Sequence, residues 1–162
     1  MKLKSQLSQR KAPTLLADQA LINTFHQNLG FTLTQAQQRV IEEINQDLGM
    51  PTPMLRLVQG DVGSGKTVVA AMAALVALTA GHQVALMAPT EILAEQHNRS
   101  FADWLAPLGL TPTLLTGSMK ASLKKQHLAD LESGSIRLLI GTHALFQEGV
   151  LFERLGLILI DE

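Results

Sequence analysis

The chain has 162 residues and 46% hydrophobic content, enough for one domain with a buried core. It has no cysteine, which excludes disulfides and zinc–thiolate chemistry. Thirteen Lys and Arg residues against 14 Asp and Glu leave a net charge of −1, so composition alone does not advertise a nucleic-acid surface, although a local patch remains compatible with it.

Residues 1–12 are polar and basic, and the opening Met1–Arg10 lacks the apolar run of a signal peptide. They are expected to form a flexible tail. Pro13 to Leu29 is predicted to be a helix, with Leu16, Ala20, Ile22 and Phe25 as its apolar positions. Thr34 to Leu48 is a clearer helix: Thr34 suits the N-cap, and Val40, Ile41, Ile44 and Leu48 fall at helical spacing. Gly49-Met-Pro-Thr-Pro53 ends it.

Met54-Leu-Arg-Leu-Val-Gln59 reads as a strand, and Val68 onward as a helix. Gln83 to Ala88 is an apolar strand stopped by Pro89. Thr90 caps a helix to about Leu105, with Leu93, His97, Phe101 and Trp104 along one stripe. A strand at Thr111–Leu115, a helix at Met119–Glu132 and strands at Arg137–Ile140 and Leu157–Ile160 complete the pattern. Apolar strands alternating with helices predict an α/β fold with a parallel sheet covered on both faces. The longest apolar run, Val68 to Leu78, is well short of the ~20 residues a bilayer span needs, so a cytoplasmic protein without a membrane partner is expected.

Between the first strand and its helix stands Gly60-Asp61-Val62-Gly63-Ser64-Gly65-Lys66-Thr67, a complete P-loop pattern. The glycines allow a path that turns successive N–H groups inward, where side chains would block it. Those donors and the following helix N-terminus form an anion site for a nucleoside triphosphate. Lys66 adds a point charge on the β/γ-phosphates, and Thr67 supplies a hydroxyl for Mg²⁺. The plainer alternative is a glycine-rich turn before a buried helix.

The last strand runs into Asp161-Glu162. A rigid strand ending in two carboxylates is a Walker B pattern: Asp161 near the Mg²⁺ water shell, Glu162 where a general base orients the attacking water. Read alone, it is more simply an ordinary strand ending in an acidic loop. Gln37, in Phe31-Thr-Leu-Thr-Gln-Ala-Gln37, has an amide donor and acceptor that can pair with the adenine edge, or it is a solvated residue on a capped helix.

Pro89-Thr90, Thr116-Gly117-Ser118 and Gly141-Thr142-His143 each follow a strand and offer small residues and hydroxyls at the edge where α/β sheets bind ligands. Ordinary turn chemistry explains each singly, and His143 also reads as a half-buried histidine. Lys120, Lys124 and Lys125 lie on one helix, where a solvated surface competes with phosphate contacts.

The order of Gln37, the P-loop, Ala88-Pro-Thr90, Thr116-Gly117, Gly141-Thr-His143 and Asp161-Glu162 resembles the first RecA-like domain of superfamily 2 helicases. Leu57–Thr67, Met87–His97 and Ile140–Gln147 are similar to RecG-type helicases in their wording, and the resemblance covers about residues 15–162. Transcription-repair coupling translocases are close relatives, but they carry a bulky residue where this chain has Ser64.

The resemblance implies a RecA-like P-loop fold and ATP-driven translocation on duplex DNA, remodelling forks and Holliday junctions in recombination and repair. ATP and Mg²⁺ are the implied cofactors. Lys66, Asp161 and Glu162 would be catalytic. Gln37 and Gly60 to Thr67 (Asp61, Val62, Gly63, Ser64, Gly65 and Lys66 between) would bind ATP. Thr67 and Asp161 would hold Mg²⁺. Pro89, Thr90, Thr116, Gly117, Gly141, Thr142 and His143 would contact DNA or couple to it.

The implied organisation is a tail at 1–12, a helical lead-in with the adenine-reading glutamine at 13–53, and part of a motor domain at 54–162. The family's N-terminal wedge domain, the strand after the acidic pair and a second RecA-like domain with an arginine finger have no counterpart in this text. That strand would lie between strand 54–59 and the Walker B strand, so either a gap or a rearranged pairing is expected there. A monomer that binds Mg·ATP, with negligible turnover by this piece alone, is the expectation. A small-molecule kinase is a competing reading, but Arg56, Arg99, Arg137 and Arg154 are scattered rather than gathered in a lid. A non-catalytic nucleotide-binding remnant is another.

Overall fold

Two capped helices lead into the sheet. The computed structural model describes residues 9–61 and 65–162. Helix α1 spans Gln19–Asn28, and the Asp18 carboxylate accepts from the Ala20 and Leu21 amides at its start. The predicted helix began earlier, at Pro13. Instead residues 11–18 carry no regular structure, and two amides there bond elsewhere: Ala12 N donates to Pro51 O (2.9 Å) and Leu15 N to Leu48 O (2.8 Å). Leu15 is buried there, whereas Leu16, an expected core position, is 69% exposed.

Helix α2, Gln35–Leu48, starts with a reciprocal capping box between Thr34 and Gln37 and buries Ile41, Ile44 and Leu48.

Residues 54–60 do not form the predicted strand. A strand is a pairing, and this segment has no ladder partner among the described residues; Leu55 and Leu57 are 55% and 78% exposed. Arg56 holds the segment onto α2 through Glu43 (2.7 Å) and Asp47 (2.8 Å). The hydrogen bond to Asp47, ahead of the other effects, holds the Arg56 guanidinium further toward its charged form. With no strand at 54–59, neither a gap beside it nor a rearranged pairing arises, and β4 forms the edge of the sheet.

Helix α3, Lys66–Thr79, is apolar all round and buried from Val68 to Leu78 apart from Ala70. Such a helix must be enclosed, and α3 lies between α1 and α2 on one side and strands β1 (Gln83–Met87) and β4 (Leu155–Ile160) on the other. Helix α4, Glu91–Leu105, β2, Pro112–Leu115, α5, Ala121–Glu132, and β3, Leu138–Gly141, come between these strands in sequence.

The sheet order is β2-β3-β1-β4, and every pairing is parallel. Val84, Leu86, Leu138, Ile140 and Leu157 pack toward α1–α4. Ala85 and Leu139 pack on the opposite face with Leu115, Leu131, Ile136 and Leu145. That second face is not fully covered, contrary to expectation: on β4, Ile158 and Ile160 are 46% and 56% exposed. Gln83 staples the sheet's lower end. Its buried amide donates to Leu131 O (2.9 Å) and Ile136 O (2.7 Å), and its Oε1 accepts from Arg154 N (2.7 Å).

Candidate nucleotide and nucleic-acid site

Strand register decides which loops meet. Leu115 pairs with Gly141, Gly141 with Met87, and Met87 with Ile160. Thr116, Thr142, Ala88 and Asp161 therefore leave the sheet side by side at its carboxyl edge. The ladder continues one step beyond two strands: Ala88 N donates to Gly141 O and Asp161 N to Met87 O, each at 2.8 Å. Helix α3 joins β1 by the short connection 80–82, and its 14 residues run back about 21 Å along the sheet. Lys66 and Thr67 thus return to the same edge.

Gly65 caps α3 with φ 81°, a left-handed conformation that glycine adopts without penalty. Among the described residues no side chain caps this N-terminus, and the N-terminus of a helix offers its amides to an anion. Lys66 Nζ donates to Gly60 O across the loop (2.8 Å). Val62, Gly63 and Ser64, also assigned to ATP, lie outside the described residues; Asp61 is exposed. Gln37 reaches this loop: its Nε2 stands where a β-carbon on Gly65 would need to be, and its Oε1 accepts from Thr34 N (2.8 Å).

Asp161 is paired with His97 of α4: Nε2 lies 2.6 Å from Asp161 Oδ2, with the two side chains 14% and 41% exposed. Glu162 beside it is exposed.

The other edge loops are tied together. Glu91, first residue of α4, accepts from both the Ser118 amide (3.2 Å) and its hydroxyl (2.8 Å). Thr90 Oγ1 caps α4 by accepting from Leu93 N (3.2 Å). Pro89, Thr90 and Gly117 are exposed, but Thr116 is buried with its hydroxyl 3.3 Å from that of Ser118. Gly141 is buried within β3, and a β-carbon there would collide with Leu115 O. Its small size serves the close approach of β2. Thr142 is half-buried and precedes a single helical turn, His143–Phe146. His143 is exposed rather than half-buried. Lys120 and Lys125 are exposed and Lys124 partly so.

Thr67 and Asp161 carry oxygen donors of the kind that hard cations take. They offer a hydroxyl and a carboxylate oxygen, and among the described residues no cluster of three or more His, Cys, Asp or Glu side chains forms a dedicated metal cage. A hard cation held by one or two protein oxygens plus phosphates is the pattern of Mg²⁺ in nucleotide sites.

Sequence reasoning missed His97 and Glu91. His97 shares a stripe with Leu93, Phe101 and Trp104, where a polar side chain signals a buried partner. Glu91 carried no signal beyond the helix start.

The parallel sheet, the glycine-capped helix and the shared carboxyl edge define a RecA-like P-loop domain. The sequence profile of the DEAD/DEAH box helicases matches residues 34–162, and the chain belongs to that family. Among its relatives, the ATP-dependent DNA helicase RecG of Synechocystis sp. is 54% identical over 157 residues, which is 97% of this chain and 19% of that protein. RecG of Escherichia coli K12 is 50% identical, over 93% of this chain and 22% of that protein. The chain thus spans about a fifth of the relatives it matches. A structure of RecG bound to a three-way DNA junction superposes on 99% of this chain and 22% of that one, with TM-score 0.93 and 42% identity. A hypothetical ATP-dependent RNA helicase from Sulfolobus tokodaii shares the fold at TM-score 0.66 and 20% identity, over 87% of this chain and 40% of that one. Among the described residues no helix is long and apolar enough to cross a membrane.

Proposed function

We propose that this chain is the ATP-binding part of the first motor domain of an ATP-dependent DNA helicase that remodels branched DNA. Residues 1–12 are its tail, 13–53 a helical lead-in carrying the adenine-reading Gln37, and 54–162 the partial motor domain. The observation that carries this reading is the shared edge: the glycine-capped N-terminus of α3 opens where β4 delivers Asp161. The similarity to RecG supports the substrate class, because a RecG structure is bound to a three-way DNA junction.

In this reading the α3 amides and Lys66 hold the β- and γ-phosphates, and Gln37 reads the base. Thr67 and Asp161 hold Mg²⁺, which when bound offsets phosphate charge. Glu162 orients the attacking water. Pro89, Thr90, Gly117, Thr142 and His143 face DNA phosphates, while Thr116 and Gly141 shape their loops from beneath. The whole protein is a bacterial, cytoplasmic monomer. The 162-residue piece binds Mg·ATP with negligible turnover, because an arginine finger from a second domain supplies roughly 10³–10⁵ of the rate in such motors.

Titration calorimetry tests the site. Lys66→Ala should weaken Mg·ATP binding roughly ten- to a hundredfold, the value of one charge-assisted contact. Unchanged affinity would show that the phosphates bind elsewhere.

A further inference from the structure

The inward side of α4 carries two neighbouring polar residues, Asn98 with a buried Oδ1 and His97. Ala94, Phe101 and Leu105 are fully buried along it, and His97 stands among them with 14% of its side chain exposed. A polar group so placed needs a partner. His97 finds one on a distant element. Helix α4 packs over β2 and β3, whereas Asp161 ends β4, on the far side of β1. The imidazole spans that distance at the carboxyl edge and meets Asp161 Oδ2 at 2.6 Å. An ionised carboxylate can only accept, so Nε2 carries the proton.

We propose that His97 is a positioning residue for Asp161: it fixes the carboxylate in the orientation that holds Mg²⁺ with bound nucleotide, and ties that orientation to α4. The proposal rests on the assignment of Asp161 to the nucleotide site. One carboxylate oxygen is committed to His97, yet the Asp161 side chain stays 41% exposed, so a second partner has access. Without His97 the carboxylate would sample several rotamers, and a half-exposed position offers little else to stop it. The packed stripe fixes the imidazole, and the imidazole fixes the carboxylate. Outer partners of this kind alter metal affinity by about tenfold or more.

The helix adds a second consequence. Thr90 caps the helix that carries His97 about two turns further on. The first turn of α4 also carries Glu91, which grips the Ser118 loop. A displacement of that end of α4 therefore moves the partner of Asp161.

The test needs no turnover. The affinity of the 162-residue chain for a fluorescent ATP analogue is measured with and without Mg²⁺. In the unsubstituted chain Mg²⁺ should tighten binding. His97→Ala should lose most of that gain, roughly tenfold, while the Mg²⁺-free affinity stays the same. His97→Gln, whose Nε2 falls close to the imidazole Nε2, should restore it. Asp161→Asn should abolish the gain, and adding His97→Ala to it should change nothing more. Full Mg²⁺ enhancement in His97→Ala overturns the proposal, as does an equal loss in both conditions that His97→Gln does not rescue. If Asp161→Asn keeps the enhancement, the site assignment itself fails and the proposal falls with it. If Asp161→Asn abolishes it and His97→Ala does not, the positioning role alone is wrong.

Discussion

The Gln37 amide nitrogen stands in the space that a β-carbon on Gly65 would occupy, so the lead-in helix is pressed against the P-loop at a left-handed residue. Gly65→Ala meets two penalties there. A non-glycine residue at φ 81° costs about 1–2 kcal/mol, and Gln37 must also move. The melting temperature should fall by roughly 5 °C for a chain of this size. Mg·ATP affinity should fall by more than the stability loss explains. Undiminished affinity would dissociate the α3 N-terminus from phosphate binding.

Gln37 has two tasks in this geometry, and they can be separated. Its Oε1 completes the capping box with Thr34, and its Nε2 faces the P-loop. Glutamate also completes a capping box but lacks the amide donor. Gln37→Glu should therefore keep the melting temperature while losing preference for ATP over GTP. Gln37→Ala should lose that preference and about 1 kcal/mol of helix stability as well. Paired calorimetric titrations with ATP and GTP decide it. Retained preference in Gln37→Glu would make this residue a cap alone.

The elements that declared themselves in the sequence were those fixed by local chemistry. Thr34 and Thr90 cap α2 and α4 as their hydroxyls predict, and Pro89 ends the strand before α4. The failures were tertiary. Met54–Gln59 has the apolar composition of a strand, but a strand exists only with a partner, and composition does not reveal the partner's absence. Pro13–Asp18 has helical spacing, but the Leu15 amide bonds Leu48 O, and Ala12 just before the segment bonds Pro51 O, a pattern no local rule encodes. At the candidate site the P-loop and the acidic pair were legible because their spacing is their chemistry. The His97–Asp161 and Glu91–Ser118 pairs span 64 and 27 residues, and only the fold brings them together.

Gln83 is the buried polar group with most to lose. It satisfies Leu131 O, Ile136 O and Arg154 N at once. Gln83→Ala leaves all three without that partner in a buried setting. The expected loss is about 3 kcal/mol, or on the order of 10 °C in melting temperature. Because Gln83 starts β1 and the nucleotide edge lies beyond its other end, Mg·ATP affinity measured well below the melting point should not change. A loss of affinity without a loss of stability would contradict this division.

Glu91 joins two loops that otherwise share no covalent path shorter than 27 residues. Its carboxylate takes the amide and the hydroxyl of Ser118 together, and a β-carbon on Gly117 would come within 3.8 Å of the same carboxylate. The arrangement costs little in an exposed position, since a surface hydrogen bond to a charge is worth about 1 kcal/mol net. Its effect is on order rather than on global stability. Glu91→Ala should therefore lower the melting temperature by only a few degrees while speeding hydrogen exchange at the Ser118 amide severalfold. Ser118→Ala keeps the amide contact and should show a smaller acceleration. If these two loops bind one DNA backbone as a unit, Glu91→Ala should also weaken binding of duplex DNA to the intact protein, with little change in Mg·ATP affinity. Exchange at Ser118 as slow in Glu91→Ala as in the unsubstituted chain would show that the loop holds its shape without the carboxylate.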